Sequence, residues 1–331
     1  MKNLFDFATK ELSQDAFLRW LFENYETLKK DQIFTKKLLG LFSNEDYRNK
    51  EITIIETSAQ YKSVIDVAIK YKVDNIEHLL VMENKTQSYI HSDQLDRYYK
   101  LIESEDKSYK RHYCYFKANR LDYSLSKKDN EDLDYLKKHK EWNKVTLKDI
   151  YEVVKEHKSS DFLFYQWIEH ITMLYEMYYE LKHYKSWDIR AYQIFLNTEL
   201  KENFKKENGW IWYGNNFFSQ GNCLYFWATR KSDEEDYIEL QMQYRLKEKN
   251  IWADLRYFTY EGNKQVLIKD EAKTNRLKKV IEEKLSNYFV IRKKASTKVA
   301  SYENEPRLYE MNKEQLVSTI NNIRKIMERE L

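Results

Sequence analysis

"VIDVAIKYKVDNIEHLLVMENKTQSYIHSDQLDRY" (Val64–Tyr98) contains two apolar, partly β-branched runs, "VIDVAI" and "HLLVMENK", on either side of "VDNIE". Asp74 and Asn75 are natural turn residues, so the runs predict two strands of a hairpin. Each run carries an acidic residue where a strand would prefer none: Asp66 in the first, Glu83 in the second. A charge in or beside a buried strand is costly unless something pairs with it. Strand pairing across the turn brings Asp66 and Glu83 near one another. Two carboxylates about 4 Å apart repel by roughly 4 kcal/mol at an effective dielectric of about 20. A divalent cation turns that repulsion into attraction, and oxygen ligands suit Mg²⁺, which usually takes one or two protein carboxylates. Lys85, two residues beyond Glu83, shares its face of the strand. An ammonium there can orient an attacking water and stabilise charge on a pentavalent phosphate. These residue types are the equipment for hydrolysing a phosphodiester.

Downstream, "SYIHSDQLDRYYKLIES" has helical spacing, with Ile90, Leu95, Tyr98, Tyr99 and Ile102 apolar or aromatic. Gln94 and Tyr98, four apart, lie on one helical face, with His91 one turn earlier. "RHYCYFKA" (Arg111–Ala118) reads as a fourth strand. Upstream, "EITIIETSAQ" (Glu51–Gln60) is strand-like. From Leu12 to about Leu41 the spacing is helical, with Leu18, Leu21, Phe22 and Tyr25 on one face and Ser13 as the expected N-cap ahead of Asp15. The first 120 residues thus read helix, three strands, helix, strand.

That order, with a strand Asp, a strand Glu-x-Lys and a helix Gln-x-x-x-Tyr, resembles the PD-(D/E)xK nuclease superfamily, its RecB-like branch in particular. "VID" lacks the proline of the namesake motif. Glu-x-Lys alone has no weight, because it recurs at Glu156, Glu180, Glu271 and Glu282 in helical or loop contexts. "KELSQDAFLRWLF" (Lys10–Phe22) resembles the N-terminal helix of a bacterial subfamily. The resemblance covers roughly residues 5–120. It implies a restriction-endonuclease-like α/β core and a Mg²⁺- or Mn²⁺-dependent nuclease, usually acting on DNA, with RNA as a further substrate class. It places the metal on Asp66, Glu83 and the backbone carbonyl of Asn84, with Glu11 as an additional acidic residue. It makes Lys85 the group that positions water and stabilises the transition state, with Gln94 and Tyr98 orienting that lysine or contacting the phosphate and the strand end; His91, on the same helical face, is a supporting candidate. Each residue taken singly has a plainer reading: Asp66 pairing with Lys70 or Lys85, Glu83 and Lys85 as a solvated strand end, Gln94, Tyr98 and His91 as helix-surface groups. The rival reading of the whole is a catalytically idle nuclease-fold protein that binds a protein partner in a phage or defence setting.

The remainder predicts a core over residues 1–120, a helical extension over 121–185 that includes a long helix from about Asp161 to Tyr184, and a C-terminal α+β domain over 186–331 built on an antiparallel meander. "NRLDYSLSKKDNEDLDYLKKHK" reads as a charged loop or loose helix, and "DYIELQMQYRL" as a half-exposed strand. The C-terminal domain is expected to select substrate, or to meet a second copy or a protein partner. Aromatic residues crowd "WIWYGNNFF" and "LYFWATR", and core packing or a protein-binding face is the default for them, ahead of base stacking. Length 331, 42% hydrophobic and 34% charged residues exclude global disorder. A net charge of +3 is compatible with nucleic acid without arguing for it. Cys114 and Cys223, far apart, fit a reducing compartment. No apolar run approaches the roughly 20 residues that span a bilayer, and the first residues lack a signal-peptide pattern, so a cytoplasmic protein is expected. Five glycines and one proline in a Lys-, Asn- and Tyr-rich chain suggest an AT-rich bacterial or phage genome.

Overall fold

Asp74 and Asn75 take left-handed backbone angles, φ 48° and 69°, the two positive values that a tight two-residue hairpin turn requires. They join β2 (Ile65–Val73) to β3 (Ile76–Lys85), paired antiparallel with Val73 opposite Ile76 and Val67 opposite Met82. β1 (Ile52–Tyr61) runs antiparallel outside β2. On the other side, β4 (Lys110–Lys117) and β5 (Trp142–Thr146) add in parallel, giving the order β1-β2-β3-β4-β5. The β3 residues from His78 to Lys85 are all buried, which is why this strand reads as a near-continuous apolar run.

In the computed structural model, the residues described are 3–6, 11–86, 88–91, 93–105, 108–118, 127–183, 187–204, 210–212, 216–217, 223–231, 236–245, 250–261, 264–268, 270–291, 298–302 and 313–330. The parallel connections carry α3 (Gln94–Glu103) and α4 (Lys127–Lys138). Leu95, Tyr98 and Ile102 of α3 and Leu136 of α4 pack with Ala68, Leu79, Val81, Tyr113 and Tyr115 of the strands. On the opposite face, α1 (Glu11–Glu23) lies on β1, β2 and β3, and α2 (Gln32–Ser43) lies on β4 and β5. α5 (Leu147–Val154) packs on α2, and α6 (Phe162–Tyr178) on α5. Trp167 of α6 stacks on Phe17 of α1 at 4.7 Å. The result is a mixed five-stranded sheet between helical layers, the α/β core that the resemblance implied.

Three local expectations change. The single helical pattern from Leu12 to Leu41 is two helices, separated by turns over residues 24–31. Ser13 lies inside α1, which begins at Glu11, so it does not cap it. α6 stops at Tyr178, and Leu181 and His183 beyond it have φ of 53° and 57°, which no right-handed helix accommodates.

The chain divides into two compact units, residues 1–180 and 181–331. In the second, α7 (Ile189–Phe195) runs into a π-helical turn, Leu196–Leu200. An antiparallel sheet follows, centred on the meander of β8 (Cys223–Lys231), β9 (Tyr237–Arg245) and β10 (Asn250–Glu261). β6 (Trp210–Trp212) and β7 (Asn216–Phe217) pair with β8. β11 (Lys264–Leu267) and β13 (Lys298–Tyr302) pair with β10, and β12 (Phe289–Ile291) with β13. α8 (Glu271–Lys284) and α9 (Lys313–Glu330) complete the unit. β9 departs from simple alternation. Glu239 is buried like Ile238 and Leu240, because Arg256, directly opposite on β10, holds it at 3.0 Å and Thr229 of β8 donates at 3.3 Å. The side chains of "WIWYGNNFF", most of "LYFWATR" and Cys223 lie outside the described residues. Among the described residues, no helix is long and apolar enough to cross a membrane.

Candidate active site

The β2–β3 register, carried one step past Val67–Met82, sets Asp66 opposite Glu83. Side-chain alternation puts Glu83 and Lys85 on the α3 face and Asn84 between them on the α1 face. Glu83 and Asn84 are fully buried, and Lys85 nearly so. The Lys85 ammonium pairs with Glu83 Oε1. The same oxygen accepts from Gln94 Nε2 at 2.7 Å. Gln94 Nε2 also donates to the Tyr98 hydroxyl at 2.8 Å, so both amide hydrogens are used. Gln94 opens α3 and Tyr98 sits one turn later, and both are buried. Asp66 Oδ2 accepts the backbone N–H of Asn84 at 2.9 Å. Lys70, the other cation weighed for Asp66, pairs instead with Glu56 at 2.6 Å.

The electrostatics follow from burial. Glu83 is pushed up to about 8, first by loss of hydration and then by the Asp66 charge, with Lys85 pulling the other way. Tyr98 is raised as well, mainly by burial. Both donors to Glu83 converge on Oε1, and Oε2 is buried with no hydrogen-bond partner. Such an orphaned buried oxygen is costly, and beside a second carboxylate it is where a proton or a cation would sit. The residues fit a hard divalent cation: the donors are all oxygens, and two carboxylates face each other. Asp66 and Glu83 would hold it, with the Asn84 carbonyl on the strand between them.

One expected member stands apart. His91 precedes α3 and is exposed, and it meets Gln94 through its backbone, its N–H 3.4 Å from Gln94 Oε1 and its carbonyl accepting the Gln94 N–H at 2.9 Å. The Glu11 side chain lies outside the described residues. Two groups were not foreseen. Asp15 of α1 accepts from Asn84 Nδ2 at 2.8 Å, both side chains being buried. Lys117, the β4 neighbour of Lys85 in the parallel register, is fully buried, 3.2 Å from Asp132 of α4 and 4.8 Å from the centre of the Tyr89 ring. Burial pushes Asp132 up, against the pull of Lys117. Lys117 ends the apolar run "YCYFK" just as Lys85 ends "VMENK", and that signal could have found it. Asp96, His139 and Glu141 form a separate group whose ligand atoms lie within 4.8 Å of one another. Their mutual contacts, His139 Nδ1 to Asp96 at 3.3 Å and to Glu141 at 3.0 Å, already occupy that nitrogen.

Residues 2–180 match the family model described as the PD-(D/E)XK nuclease superfamily. Comparison with curated proteins and with solved structures gave no match.

Proposed function

The chain belongs to the PD-(D/E)XK nuclease superfamily, and from that premise we propose that it hydrolyses phosphodiester bonds in DNA with the help of Mg²⁺ or Mn²⁺ held by Asp66 and Glu83. The observation that carries this is the buried Glu83 oxygen without a donor, set beside Asp66 and Lys85. A bound divalent cation would supply Lewis acidity and lower the pKa of an attacking water. The chain's own residues do the rest. Gln94 fixes the Glu83 carboxylate by donating to Oε1, and Tyr98 fixes Gln94. Asn84 holds Asp66 through its backbone N–H. Lys85, paired with Glu83 in the structure, would orient the attacking water and meet the charge that builds on the phosphate oxygens. Preorganised donors of this kind contribute about 10²–10³ in rate. Residues 181–331 select the substrate in this reading.

The test is a cleavage panel of DNA and RNA, single- and double-stranded, with Mg²⁺, Mn²⁺ or EDTA. Metal-dependent cutting of DNA is expected. Cutting of RNA alone would move the substrate class. No cutting of any substrate with either metal would favour a nuclease-fold binding protein.

A further inference from the structure

We infer that Asp15 is a positioning residue for the cation site, acting through the sheet by way of Asn84; the inference rests on the metal reading above. Asn84 is the only residue between Glu83 and Lys85, and it faces the opposite way from both. Its side-chain Nδ2 donates to Asp15 Oδ1 at 2.8 Å on the α1 face. Its backbone N–H donates to Asp66 Oδ2 at 2.9 Å. One residue therefore ties helix α1 to an expected metal ligand on another strand.

The cost of this arrangement argues that it has a use. Asp15 is 4% exposed and its helix neighbours Phe17, Leu18, Leu21 and Phe22 are core residues. A carboxylate at such a position is expensive against an apolar residue of similar size. A helix that only had to pack on the sheet would do so more cheaply with a leucine. What the carboxylate adds is direction: it fixes the rotation of the Asn84 side chain, and with it the peptide that hydrogen-bonds Asp66. Groups that hold a metal's ligands from behind typically change affinity by about 10–100-fold when removed.

The experiment is Mn²⁺ titration by calorimetry on the full chain, without nucleic acid, so that cleavage plays no part. Asp15→Ala is expected to weaken Mn²⁺ binding by about tenfold or more. Asp15→Asn, which keeps an oxygen for Asn84 Nδ2, is expected to restore most of it. Asn84→Ala should weaken binding to a similar degree, and the Asp15→Ala/Asn84→Ala double variant should be no weaker than either single one. If Asp15→Ala fails to fold, Asn84→Ala and Asp15→Asn decide the question between them. Near-wild-type Mn²⁺ affinity in a folded Asp15→Ala or Asn84→Ala variant overturns the inference. Asp66→Asn separates the two levels. If the wild type binds Mn²⁺ and Asp66→Asn abolishes it, the metal reading stands whatever Asp15 does. If the wild type binds none, or Asp66→Asn binds as well as the wild type, the metal reading falls and this inference with it.

Discussion

Glu83 concentrates the chemistry of the site in two oxygens with opposite surroundings. Oε1 takes Lys85 and Gln94, and Oε2 takes neither. With its pKa raised to about 8, the metal-free side chain carries a proton at neutral pH. The folded value lies above the ordinary 4.5, so the folded chain binds the proton more tightly than the unfolded chain does. Its contribution to stability is full below about 4.5 and is lost as pH rises through about 8. Thermal melts in EDTA across that window should show the wild type losing stability relative to Glu83→Gln. Parallel curves for the two proteins would contradict the assignment. Asp66, Glu83 and Lys85 were legible because each breaks an apolar strand pattern at a cost that needs a partner. Asp15 was not, since an acidic residue near a helix start has an ordinary explanation in the helix dipole, and nothing in the sequence points it at Asn84.

The strands themselves carry a second polar cluster at the far end of the same sheet. His78 of β3 and His112 of β4 lie with rings parallel, Nδ1 to Nε2 at 2.9 Å, and His112 Nδ1 meets the Ser43 carbonyl at 3.0 Å. Tyr71 of β2 joins Ser43 at 2.8 Å and Tyr47 at 3.0 Å. Burial, then the neighbouring His78, push His112 down to about 4, and burial lowers His78. Both are neutral when folded at pH 7. Their folded values lie below the ordinary 6.5, so stability is lost as pH falls from about 6.5 through about 4. His112→Asn removes that titration, and its melting temperature should fall less than the wild type's over this range; an equal fall would show that the pair does not set the acid limit. The strands of the first sheet and α3 were readable from period and turn chemistry. α4 was obscured by its charge, "KKDNEDLDYLKK", because its burial comes from two acidic residues, Asp129 and Asp132, as much as from Leu136. β11, β12 and β13 are four, three and five residues long, too short for alternation to register.

At the scale of the whole molecule, every residue assigned to the site falls in residues 1–180, which have their own sheet and core. A fragment of residues 1–180 should therefore unfold cooperatively and keep its Mn²⁺ affinity within a few-fold of the full chain's, while its preference among nucleic-acid substrates changes. Calorimetry on the fragment checks the first two points. An unfolded fragment would contradict the independence of residues 1–180, and a folded one unable to bind the Mn²⁺ that the full chain binds would show that residues 181–331 contribute to binding. The second compact unit begins at residue 181, just past the end of the aromatic helix α6 at Tyr178. The sequence assigns that unit no role, because aromatic-rich segments suit packing and binding equally well.

Cleavage of linear and circular DNA in Mg²⁺, Mn²⁺ or EDTA by the wild type and by Lys85→Ala decides whether the buried cluster on β2 and β3 is a metal-dependent nuclease site. Metal-dependent cutting is expected to drop by about 10²-fold or more in the variant while its fold is retained. Equal cutting by the two proteins, or cutting that persists in EDTA, would contradict that role.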